Sequence, residues 1–162
     1  MNIYIIAVGT KMPAWVTQGY TEYAKRMQND CKLVLREVAA AKRDKQTTQS
    51  AAQLERLLEK ERAAIMKALP KNVHIVALEV KGKSYTTEKL AQRLDVWLHQ
   101  GNDVALLVGG PEGLPPAVSR QANECWSLSA LTLPHPLVRV VIAEALYRAW
   151  SFKNGHPYHR AD

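Results

Sequence analysis

The sequence predicts an α/β fold: a single domain over residues 1–162, built as one parallel sheet with helices on both faces. Three observations carry that prediction. Apolar runs of strand length alternate with amphipathic runs of helix length along the whole chain. The strand-length runs are apolar on both faces, most plainly Val104-Ala105-Leu106-Leu107-Val108, as buried parallel strands are. The chain has 162 residues, 47% of them hydrophobic, which is one domain's worth and enough to bury a core without disulfides or metal.

Each element has its own signal. Residues 2–8 read as a buried strand through Ile3, Ile5, Ile6 and Val8, stopped by Gly9. Pro13 opens a helix over 14–29, with Trp15, Gly19, Tyr23 and Met27 on one stripe. Leu33, Leu35 and Val38 mark a second strand. Residues 39–50 hold Lys42-Arg43-Asp44-Lys45 and few apolar anchors, so a basic loop is expected. A helix over 51–69 turns Leu54, Leu57, Leu58, Ile65 and Met66 inward and ends at Pro70. A third strand covers 73–80, and Gly82 reads as a turn. Thr86 or Thr87 caps a helix to about His99, broken by Gly101-Asn102. The fourth strand is 103–108, followed by a glycine turn and a short helix over 116–123. Residues 126–133 look like a strand, and 137–152 form the last helix before a tail over 155–162.

Composition narrows the function classes. No apolar run reaches the roughly 20 residues that a membrane span needs, so no membrane partner is expected. The N-terminus lacks the basic and small-residue signals of a secretory leader. Cys31 and Cys125 form no CxxC pattern and read as reduced thiols of a cytoplasmic protein. The net charge is +7, and its excess lies early: 15 Lys+Arg against 8 Asp+Glu up to Tyr85, then 7 against 7. Basicity placed in this way points to a polyanionic partner, nucleic acid above all, with solubility charge as the competing reading.

Ligands of open α/β sheets bind beyond the carboxyl ends of the strands, and two such ends stand out. One is Gly109-Gly110-Pro111-Glu112-Gly113, where paired glycines let backbone approach a ligand. It lacks the Lys-Ser/Thr of a phosphate loop, and by itself it also fits a tight turn. The other runs from Ser127 to Pro136, with His135 held between Pro134 and Pro136 and with Ser129 and Thr132 among leucines. It also fits a plain strand-to-helix connection. The last helix is apolar nearly all round, broken by Arg139, Glu144 and Arg148, and one sheet face covers only one side of it. A second copy of the chain is the natural cover, so a homodimer is expected; a helix central to the monomer is the competing reading. In the tail, His156 and His159 have no Cys or carboxylate beside them, so no metal is expected. The tail reads as a site-covering or base-contacting segment, against the plainer reading of a frayed end.

Taken together, Ala7-Val8-Gly9-Thr10-Lys11, the segment 106–113, the Leu-Pro-His-Pro stretch within 129–139, Glu144-Ala145-Leu146-Tyr147-Arg148-Ala149 and Pro157-Tyr158-His159 resemble the bacterial ribosomal RNA large subunit methyltransferase H family, within the SPOUT superfamily. The resemblance spans essentially the whole chain with every motif in order. It implies a C-terminal trefoil knot, a homodimer, and S-adenosylmethionine-dependent N3-methylation of a pseudouridine in 23S rRNA on the assembled ribosome. Carried over, the methyl-donor pocket falls on Leu78, Gly109, Gly110, Leu128, Ser129, Ala130, Leu131, Thr132 and Leu133. His135 and His159 are candidate bases or orienting groups, since imidazole titrates near working pH, and Arg139 is a candidate for holding a phosphate or the imide anion. Lys11, Lys42, Arg43, Lys45, Tyr158 and Arg160 are candidate RNA contacts. No metal is needed where the methyl group is already activated. The rivals are a noncatalytic RNA-binding homodimer of the same fold and a small-molecule nucleotide-binding protein.

Overall fold

The computed structural model describes residues 1–42 and 50–160. Five parallel strands lie in the order β2-β1-β4-β3-β5. They are β1 (Asn2–Val8), β2 (Lys32–Val38), β3 (His74–Ser84), β4 (Val104–Val108) and β5 (Glu124–Ser127). The helices between and after them are α1 (Ala14–Ala24), α2 (Ala51–Ala68), α3 (Thr87–Gln100), α4 (Pro116–Gln121) and α5 (His135–Lys153), with a short 3-10 turn at Pro157–Arg160.

Because strand side chains alternate, the sheet has two apolar faces. Ile3, Ile5 and Ala7 of β1 join Val104, Leu106 and Val108 of β4 against α1, α3 and α5. Ile6 and Val8 join Ala105 and Leu107 against Ile65 of α2 and Val118 of α4. Every residue of β4 is buried, as its unbroken apolar run requires at the centre of the sheet.

The predicted elements exist, but several differ in extent. The first helix ends at Ala24 rather than near residue 29, because tight turns from Arg26 N–H to the Tyr23 carbonyl (3.1 Å) and from Met27 N–H to the Ala24 carbonyl (3.1 Å) draw Met27 into the core. Its buried side chains are Val16 and Tyr20, while Trp15 stays 55% exposed. In α2 only Ile65 of the expected inward residues is fully buried, and Glu61 is buried with it. Thr86 caps α3 by accepting from Lys89 N–H at 3.1 Å.

Gly82 is not a turn. It lies within β3, which continues past residue 80, where Leu78 and Lys83 both pair with Trp126 and the residues between them bulge outward. A Cβ at Gly82 would lie 2.7 Å from the Trp126 carbonyl carbon, so the strands can close only on glycine. The fifth strand stops at Ser127 rather than running through residue 133. Beyond it the Ser127 hydroxyl donates to the Ser129 carbonyl (2.9 Å), and Ser129 Oγ accepts from Leu131 N–H (3.0 Å). These side-chain bonds bend the backbone out of the ladder. The last helix starts two residues early, so His135 is its first residue and not part of the preceding loop.

Candidate active site

The bulge of β3 and the carboxyl ends of β4 and β5, with the start of α5, enclose a cavity of about 430 Å³. Three backbone devices shape it. After β4 the chain folds sharply, with Gly113 N–H donating to the Gly110 carbonyl at 2.9 Å and Gly113 at φ +76. This packs Gly109 so closely that a Cβ there would lie 2.3 Å from the Gly113 carbonyl carbon. The bulge of β3 delivers Leu78, Glu79 and Val80, and the bent segment after β5 delivers Leu128, Ser129, Leu131, Thr132 and Leu133.

Eight of the nine residues expected to hold the donor therefore line one cavity: Leu78, Gly109, Gly110, Leu128, Ser129, Leu131, Thr132 and Leu133. Ala130 belongs to the same loop but is exposed and outside the lining. Leu131 is 72% exposed, an apolar side chain held at the mouth with little else to cover it. The lining fits an adenosine-type sulfonium donor: leucine faces for a flat ring, hydroxyls at Ser129 and Thr132, and a glycine turn open to close approach. Glu79 also lines it, its Oε1 accepting from the Ser119 hydroxyl of α4. Sequence reasoning missed Glu79; the only signal was an acid directly after the apolar run ending at Leu78.

His135 lines the cavity and lies against β1's end, where a Cβ on Gly9 would be 3.3 Å from its Cε1. The other candidate groups are elsewhere. Arg139, one turn further along α5, is 1% exposed and does not reach the cavity. Its Nη1 donates to Glu37 (2.7 Å) and its Nη2 to the Gly9 carbonyl (2.7 Å). With Lys11 it lines a second cavity of about 290 Å³ between α1, β2 and the start of α5. Lys42 is exposed, whereas Arg43 and Lys45 lie outside the described residues.

The tail folds back on its own chain. The Tyr158 hydroxyl donates to Glu144 (3.1 Å), and its ring lies 4.6 Å from that of Tyr147 with the Arg148 guanidinium 5.0 Å away. Burial, then hydrogen bonding with Tyr23 and the nearby Glu144 charge, push the Tyr158 phenol above its usual range. His159 is held through its backbone N–H, which donates to Ser151 Oγ at 3.1 Å. Neither Tyr158, His159 nor Arg160 lines the cavity of this chain. Among the described residues no three His, Cys, Asp or Glu side chains converge as metal ligands, and no helix is long and apolar enough to cross a membrane.

A family model described as "Predicted SPOUT methyltransferase" matches residues 1–159. The chain is 54% identical over 160 residues to the ribosomal RNA large subunit methyltransferase H of Thioalkalivibrio sulfidiphilus (strain HL-EbGR7), covering 99% of each. Among solved structures, a probable methyltransferase from Bordetella pertussis Tohama I is similar at TM-score 0.53 and 18% identity, over 91% of this chain and 95% of that one. A probable methylase family protein from Haemophilus influenzae Rd KW20 is similar at TM-score 0.52 and 11% identity, over 97% and 69%. At these identities the two structures bear on the fold alone.

Proposed function

The chain belongs to the SPOUT methyltransferase family, and from that premise we propose that it methylates N3 of a pseudouridine in 23S rRNA, using S-adenosylmethionine in the cavity at the bulge of β3 and the ends of β4 and β5. It acts as a cytoplasmic homodimer on the assembled large subunit, with a knotted C-terminal segment. The observation that carries the reading is the gathering of eight candidate residues, from three segments distant in sequence, around one cavity.

Bound S-adenosylmethionine supplies a methyl group already activated by positive charge on its sulfur, so the chemistry calls for no metal. The chain's own part is placement and proton removal. Leu78, Leu128 and Leu133 exclude water from the donor's apolar parts, and the Gly109 turn brings backbone up to it. His135 takes the N3 proton in this reading, which its place at the cavity wall beside Gly9 supports. Trp15 and Phe152, 55% and 40% exposed on α1 and α5, support a second copy packing on these helices. Since the tail lies away from its own chain's cavity, its role at a site is assigned to the partner's.

Calorimetry with S-adenosylmethionine tests the reading against a noncatalytic RNA-binding dimer. Saturable binding at one site per chain is the expected result. Absence of binding by a folded protein would remove the enzyme.

A further inference from the structure

We propose that Glu79 is the counter-charge of the donor's sulfonium, and that through it the donor cavity favours S-adenosylmethionine over the demethylated thioether left after transfer. This rests on the cavity at the β3 bulge being the donor site.

That cavity is electrically one-sided. Among the described residues that line it, Glu79 is the sole carboxylate and no Lys or Arg accompanies it; His135 is the other titratable side chain, and the rest are apolar or uncharged. Glu79 is half-buried, on the bulge of β3. The Ser119 hydroxyl of α4 donates to its Oε1, which holds the carboxylate without neutralising it. No Lys or Arg among the described residues makes an ion pair with Glu79. Its charge is felt nearby: the Cys125 thiol is pushed up by burial and then by Glu79. A partly desolvated anion without a counter-ion keeps the cost of its desolvation, and a bound cation offsets that cost.

The donor's own charges select the cation. The ammonium and carboxylate of its amino-acid end cancel, so one net positive charge remains, on the sulfur. Sulfonium sulfur carries no N–H or O–H, so hydrogen bonds cannot recognise it, and an opposite charge among apolar walls is the means left. Transfer removes that charge. The electron pair of the broken carbon–sulfur bond stays on sulfur, the methyl group bonds to N3, and the N3 proton goes to the base. Glu79 is then left facing a neutral thioether, again without a counter-ion, and the spent donor is held less tightly.

Calorimetry with three ligands tests this: S-adenosylmethionine, the neutral thioether S-adenosylhomocysteine, and sinefungin, which has an ammonium group in place of the sulfonium. Glu79→Gln is expected to weaken the two cationic ligands about ten-fold and to leave the thioether within about two-fold. Retained thioether binding also shows that the cavity is intact. Glu79→Asp, which draws the charge back by one methylene, should show the same selective loss at smaller size, and it carries the test where Glu79→Gln does not fold. Equal weakening of all three ligands would overturn the proposal, since Glu79 would then meet a part of the donor that transfer leaves unaltered. Unchanged affinity for the cationic ligands would overturn it as well. Failure of the donor reading would look different: the unaltered protein would bind none of the three.

Discussion

At Gly109 even a methyl group has no room, since a Cβ placed there would have the backbone of Gly113 and Leu114 within 2.6 Å. Gly109→Val should therefore open the turn itself rather than simply occupy ligand space. The expected result is loss of detectable donor binding by calorimetry together with a lower Tm, and unchanged donor affinity would contradict the role assigned to the turn. Far from the cavity, Glu124 at the start of β5 shows how a polar group is tolerated at the sheet edge. Its Oε1 accepts from Arg93 and from Trp97 Nε1 (3.1 Å), with His74 Nε2 at 2.7 Å. Burial works to raise its pKa, but hydrogen bonds from Trp97, Arg93 and His74 outweigh it and hold the carboxyl below the usual range. A depressed folded pKa means stability that is present above the unfolded value of about 4.3 and is lost as pH falls through the folded one. Glu124→Gln should cost about 1–3 kcal/mol near neutral pH. Denaturant titrations should show that difference shrinking below about pH 4; a gap that persists in acid would exclude the charge as its source.

Among the elements, the strands were the most legible in the sequence. The all-apolar run of β4, bounded by Asn102-Asp103 and Gly109-Gly110, fits a strand buried on both faces, and the middle of the parallel sheet is its place. Elements that end against tertiary structure were less so. Nothing local announces that Met27 leaves its helical stripe for a tight turn, or that Trp126 is met twice by β3. Gly82 read as a turn because a glycine demanded by a neighbour's backbone looks, in one dimension, like a glycine demanded by its own. The bend after β5 was hidden because Ser129 competes for backbone bonds that an apolar run would leave to the ladder. The tail is the element to which the proposed homodimer gives a role in the partner's cavity. Removing residues 158–162 removes a Tyr158 ring packed on Tyr147, so a loss of about 1–2 kcal/mol in stability is expected. Methylation should fall far more than that loss explains, and full activity would release the tail from any part in the site. Mixed dimers separate the two arrangements: one chain truncated and its partner carrying Gly109→Val. Activity returns if each tail serves the other chain's cavity, and an inactive mixed dimer would place tail and cavity on the same chain.

For the whole molecule, the cavity proposed for the donor could be anticipated because most of its residues follow β4 and β5, where the ends of parallel strands lie side by side. The reassignment of Arg139 could not, since its partners Glu37 and Gly9 are brought to it only by the packing of α5 across β1 and β2. Basic charge is likewise a property of the whole chain, with the early excess of Lys and Arg concentrated before Tyr85. Replacing Lys42, Arg43 and Lys45 by alanine should weaken binding to large subunits and leave donor affinity alone. Every phosphate that goes unneutralised as a result should flatten the dependence of log K on log salt by about one unit. An unaltered slope would make these residues a solvated surface.

Mass-spectrometric mapping of modified nucleotides in 23S rRNA, from cells with and without this protein, decides whether it methylates N3 of a pseudouridine. One pseudouridine is expected to carry an N3-methyl group only when the protein is present, and to lose it when Gly109→Val replaces the unaltered chain. An identical set of modified nucleotides with and without the protein would contradict it.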